Sequence, residues 1–256
     1  MALRRSTAAR SRSKAAWEQS LPGYLAWSKD PAVGLFVVLP LWITYEVLRL
    51  LVLPDRFNGA EFLIYHWLPP VGLSLLTLFF GLTVLLCGWS ILQRDIPWIR
   101  VGLVTVLEGL VYGLIIGPLA GVLTSYSMPV MAADAVPVLA PTERTVNLVA
   151  ALGAGIYEEV LFRLLLLSLL AWLFTRTTNA FGLPRWAGVL LAMVVSSLLF
   201  ALLHHVGQNL PDIDAKVFLF RTMAGLILAA LFVFRGIGVC VYTHALYNVH
   251  FFLGQY

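Results

Sequence analysis

Charge is scarce in this chain: Asp, Glu, Lys and Arg make up 12% of its 256 residues, whereas 60% are hydrophobic and mean hydropathy is +0.88. One soluble core of this size cannot hide so much apolar surface, which excludes a water-soluble globular domain. Cysteine is nearly absent. Cys87 and Cys240 are the only two, both inside apolar runs, so neither a disulfide framework nor a cysteine metal site is expected. The sequence has no H-E-x-x-H helix of a zincin and no G-x-S-x-G elbow for a serine nucleophile. It also lacks an internal repeat, a low-complexity tract beyond its basic start, and any stretch large enough to fold alone in water. Acidic residues number 13 against 17 basic ones, giving a net charge of +4. The basic residues are dispersed through short loops and the N-terminus instead of gathering on one face, so no nucleic-acid partner is expected.

Long hydrophobic runs are what the chain does have. A helix crossing a bilayer needs about 20 mostly apolar residues, and seven stretches qualify: 31–53, 70–92, 101–123, 146–174, 186–206, 217–234 and 236–253. The expected fold is all-α, a polytopic membrane protein with about seven transmembrane helices in one bundle. Residues 1–30 read as a basic cytoplasmic tail, with Trp17, Tyr24 and Trp27 marking an interfacial segment or a disordered stretch, and 31–256 as the transmembrane domain. With the N-terminus inside, Arg94, Arg100, Arg176, Arg185 and Arg235 share its side, against Arg56, Arg144 and Lys216 outside, as the positive-inside rule requires. The stretch 124–145 becomes an external loop, and Gly236 and Gly238 in "FRGIG" permit a tight reversal between the last two spans. The expected location is a bacterial inner (plasma) membrane.

The few charges inside these runs carry the chemistry. "GIYEEVLFRLLLL", residues 155–167, places two glutamates and an arginine near mid-span, where an acid costs about 2.5–3.5 kcal/mol on insertion scales and needs a partner or a water cavity. Glu159 and Arg163 share a helix face and form an ion pair; Glu158, turned about 100° away, needs a partner from another helix. "FALLH" (Phe200 to His204) and "HALYN" (His244 to Asn248) each put two residues on one face. If the fourth, fifth and seventh spans pack together, Glu158, His204, His244 and Asn248 converge in one pocket able to activate water and bind an oxyanion. Taken singly, each has a plainer reading: Glu158 as a protonated interhelical tie, Phe200 as a core aromatic, the histidines as hydrogen-bonded packing residues. His205 follows His204 directly, and the spacing from Phe200 selects His204. Glu108 either lines the cavity or pairs with a donor elsewhere, and snorkelling accounts for Glu46 and Arg49.

The series E-E-x-x-x-R (Glu158, Glu159, Arg163), F-x-x-x-H (Phe200, His204) and H-x-x-x-N (His244, Asn248), in this order on successive apolar segments, resembles the CPBP family of intramembrane proteases, also called Abi or CAAX-protease-like. The resemblance covers about 146–253, the expected catalytic core. It implies a helix bundle enclosing a cavity in which a peptide bond is hydrolysed. Glu158 is then the general base for water, His204 helps to hold that water, His244 and Asn248 stabilise the tetrahedral oxyanion, and Glu159 with Arg163 orients the helix and tunes Glu158. The implied partners are the bilayer and a membrane-tethered or lipid-anchored protein or peptide. No cofactor is expected; zinc held by Glu158, His204 and His244 is the alternative, disfavoured because a ligated Glu158 is not free to act as base. Two other functions stay open: a proton- or ion-coupled transporter, and a non-catalytic immunity-type relative that binds a peptide.

Overall fold

The computed structural model describes residues 21–52, 71–94, 96–127, 141–205 and 213–253. The basic stretch before residue 21 with Trp17, most of the expected external loop, and Arg56 lie outside the described residues. Within them all regular structure is helical: α1 (Leu21–Lys29), α2 (Pro31–Val52), α3 (Val71–Gln93), α4 (Trp98–Ser127), α5 (Pro141–Glu159), a π-helical segment (Val160–Leu167), α6 (Ser168–Ala180), α7 (Arg185–Leu203), α8 (Ala215–Arg235) and α9 (Ile237–Leu253). Six helices are long and apolar enough to cross a membrane, and α9 is a shorter apolar helix, which gives the expected bundle of about seven. The fourth span is longer than 146–174, because α5 runs on through the π segment into α6, and 36 of these helical residues, Thr145–Ala180, form the apolar span. It stops where Gly182 adopts φ 73°, a conformation that suits glycine, with Pro184 two residues on. Leu78, Phe79, Leu85 and Trp89 of α3 are exposed, an apolar face that hydrocarbon would cover.

α9 is the innermost element. Its residues from Ile237 to Ala245 are all buried, so it is covered on every side by α4, α5, α2 and α8. Lipid tails are as apolar as the helices, so close backbone approach has to supply the packing energy, and glycines permit it. A Cβ on Gly109 of α4 would lie 2.5 Å from Cβ of Tyr242, and one on Gly117 2.6 Å from the Tyr247 ring. On α5, a Cβ on Gly155 would meet Ala245 Cβ at 2.6 Å. That last contact is one turn before Glu158 and next to His244, so it sets how near the two come.

The helix ends at the Lys29, Arg94 and Arg235 side are tied together. Asp30 receives Arg94 Nη1 at 2.5 Å; burial would raise its pKa, but this bond and the Ala32 and Val33 amides hold the carboxyl below its usual value. Residues 21–29, read from sequence as tail, are a helix docked on the bundle, with the Tyr24 hydroxyl donating to Glu108 Oε2 at 2.5 Å. Glu108 also takes a two-pronged bond from Arg235, Nε at 2.5 Å and Nη2 at 2.7 Å. The reversal after Arg235 is as tight as "FRGIG" suggested, with Gly236 at φ 89°.

Candidate active site

Buried charge defines the site. Glu158, Glu159 and Arg163 are 2%, 0% and 1% exposed. Glu159 ends α5, and Arg163 lies in the wider π-helical turn that follows, where Ser168 Oγ donates to the Arg163 carbonyl at 3.3 Å. Such segments relieve strict α register and recur at functional positions. The expected ion pair forms: Arg163 Nη1 is 3.0 Å from Glu159 Oε1. The same oxygen accepts His244 Nδ1 at 2.6 Å, while Oε2 accepts the Cys240 thiol at 2.9 Å. Glu159 therefore joins α5 to α9 as well as pairing within its own helix. Arg163 reaches further, its Nη2 donating to the Gly225 carbonyl of α8 at 3.4 Å and its guanidinium lying 4.3 Å over the Phe200 ring.

Glu158 turns the other way. Its Oε2 is buried and has no hydrogen-bond partner among the described residues; the nearest ionisable atom is His204 Nε2, 3.5 Å away. His204 ends α7, and its Nδ1 faces the Phe200 carbonyl at 2.8 Å. A carbonyl only accepts, so Nδ1 carries the proton, and in the neutral ring Nε2 presents a lone pair. While the ring is neutral, two acceptors face each other. A donor with two protons, such as water, satisfies both.

Glu158, His204, His244 and Asn248 line one cavity of about 510 Å³, together with Phe200. The convergence read from the motifs is present for these four, whereas Glu159 and Arg163 stand behind the wall. Phe200 is more than an ordinary core aromatic: its ring packs against His204 at 4.7 Å and His244 at 6.0 Å. His205 points away from Glu158; its Nδ1 meets the Ala201 carbonyl at 2.9 Å and its Nε2 faces Arg221 Nη1 at 3.5 Å. Glu108 is not a cavity residue, because Arg235 and Tyr24 claim it. Glu46 is not merely snorkelling, since it accepts Tyr157 at 2.7 Å as well as Arg49 at 2.7 Å. Arg221, Asn147 and Tyr247 line the cavity and were not singled out from sequence. A cation seven residues into an apolar span, in register with Val217, Phe220, Ala224 and Leu228, was the available signal for Arg221. Among the described residues no three His, Cys, Asp or Glu side chains are grouped to hold a metal.

Comparison with known proteins adds one positive finding. No curated protein and no solved structure matches the chain. The family model described as Type II CAAX prenyl endopeptidase Rce1-like matches residues 141–250, the stretch that contains all three motifs and every catalytic candidate. Over this segment the chain is similar to the CAAX-protease-like membrane proteins that the three motifs suggested.

Proposed function

We propose that the chain is an intramembrane endopeptidase that hydrolyses a peptide bond in a membrane-tethered or lipid-anchored protein or peptide. The family match supports endopeptidase activity in general; the observation that supports this chemistry is the unsatisfied Glu158 Oε2 facing His204 Nε2 across 3.5 Å. Water held there donates to both acceptors. Glu158 takes one proton as the water oxygen bonds to the scissile carbonyl carbon, and returns it to the amine as the C–N bond breaks. The developing oxyanion meets His244 and Asn248. With Nδ1–H given to the Glu159 carboxylate, a protonated His244 presents Nε2–H as the second donor beside the Asn248 amide. Glu159 and Arg163 fix that ring from behind and touch no substrate.

The mechanism is read as glutamic-type. A metal on Glu158 would occupy the lone pair that must take the proton. The cavity wall is largely apolar, with Phe220, Phe251, Phe252 and Leu228, which suits a substrate presented from lipid. Location in a bacterial inner membrane belongs to the same proposal. The test is a comparison of membrane peptides from cells carrying the wild type and Glu158→Ala. New protein termini confined to the wild type support the reading. Identical sets of termini remove it.

A further inference from the structure

The proposed hydrolysis leaves one charged wall residue unused. Among the described residues that line the cavity Arg221 is the only Lys or Arg, placed on α8 one turn after Val217. Its recorded partners both engage Nη1: the His204 carbonyl at 3.4 Å and His205 Nε2 at 3.5 Å. Both lie at the long limit of a hydrogen bond. His205 is set up to hold this guanidinium, because its Nδ1 meets the Ala201 carbonyl and leaves Nε2 as an acceptor. Among the described residues no partner is recorded for Nε and Nη2, the edge with the fork geometry that matches a carboxylate. Capping the carboxyl end of α7 would explain one contact on Nη1. Attraction to Glu158 favours a cation in this cavity, but neither effect uses the Nε–Nη2 edge, which has no recorded partner among the described residues.

From this geometry we infer that Arg221 is the substrate-recognition residue of the site, binding a peptide carboxylate close to the scissile bond. The inference rests on the endopeptidase reading and narrows its substrate class to acidic peptides, the carboxylate being either a free C-terminus or an Asp or Glu side chain. Arg221 bonds the backbone of His204, the residue that holds the water. A carboxylate on its free edge therefore falls within about two residues of the attacked carbonyl, at about 3.3–3.6 Å per extended residue.

The test uses the full chain in phosphatidylcholine nanodiscs and one short N-palmitoylated peptide in three forms: uncharged with a C-terminal amide, the same with a free C-terminal carboxylate, and the amide carrying one internal Glu. Binding is measured to the Glu158→Gln protein, and cleavage by the wild type is followed in parallel. At least one carboxylate form should bind about tenfold or more tightly than the neutral amide. That ratio should fall to about one in Glu158→Gln/Arg221→Gln and survive in part with Arg221→Lys; the form that wins identifies the source of the carboxylate. Equal binding of all three forms to the Arg221-containing protein, which needs no Arg221 variant to fold, overturns the inference, as does a preference that Arg221→Gln leaves intact. A preference erased by phosphatidylglycerol nanodiscs also overturns it, since the guest is then a lipid phosphate. Cleavage of all three peptides without preference sinks the carboxylate and spares the protease. Selective binding without any cleavage spares the carboxylate and sinks the protease.

Discussion

Glu159 and His244, 85 residues apart in sequence, are joined by a 2.6 Å bond from His244 Nδ1 to Glu159 Oε1, on the oxygen that also faces Arg163. The bond fixes which ring nitrogen of His244 faces away from Glu159, and under the proposed mechanism Glu159 positions the oxyanion donor. Glu159→Gln keeps the shape and removes the charged acceptor that holds His244 Nδ1. Its kcat should fall about a hundredfold or more with little change in KM. Steady-state kinetics on a cleaved peptide checks this; a loss confined to KM would assign Glu159 to substrate binding instead.

Arg163→Ala acts on the same pair from the other side. It leaves the Glu159 carboxylate buried without its guanidinium and removes the cation over Phe200. Breaking a buried pair in this way costs about 3–5 kcal/mol, so thermal stability in detergent should drop together with activity. A variant melting with the wild type would show that the ion pair contributes nothing to the fold.

These two residues also mark what the sequence revealed and what it left hidden. Arg163 four residues after Glu159 declared their pairing, because i and i+4 neighbour each other on any helix. The transmembrane helices were legible from run length alone, and the four cavity residues from two i, i+4 spacings. The second partner of Glu159 was not legible, since it depends on Gly155 letting α9 approach α5. Glu108 needed a donor, but Arg235 lies 127 residues away, and only the packing of α4, α8 and α1 brings it in reach. The π-helical turn has no signature in the apolar run "VLFRLLLL". Arg221 escaped notice because a lone cation near a span end has an ordinary explanation in snorkelling.

Metal content separates the glutamic reading from the zinc alternative. Purified protein should carry substoichiometric zinc by elemental analysis, and a strong chelator should leave activity intact. About one zinc per chain, with chelator inhibition reversed by added zinc, would place a metal on Glu158, His204 and His244.

Sidedness follows from charge and fold together. Lys29, Arg94, Arg100, Arg185 and Arg235 lie at one end of the bundle, whereas His204 closes α7 at the other, so the positive-inside rule predicts a cavity in the external half of the membrane. In a background with Cys87 and Cys240 replaced by Ala, a cysteine at Ala215 should react with an impermeant thiol reagent applied outside. One at Leu183 should react only once the inside is opened. The reverse pattern inverts the topology and the substrate compartment.

The most direct measurement of the central claim is the turnover of a cleaved peptide by purified Glu158→Gln in nanodiscs, beside the wild type and with melting curves for both. Loss of the base with retention of shape predicts activity about a hundredfold or more below wild type, at an unchanged or higher melting temperature because a buried charge is removed. Activity within a few-fold of wild type from a correctly folded Glu158→Gln protein would contradict the account, since no other described residue has been given the proton that water must lose.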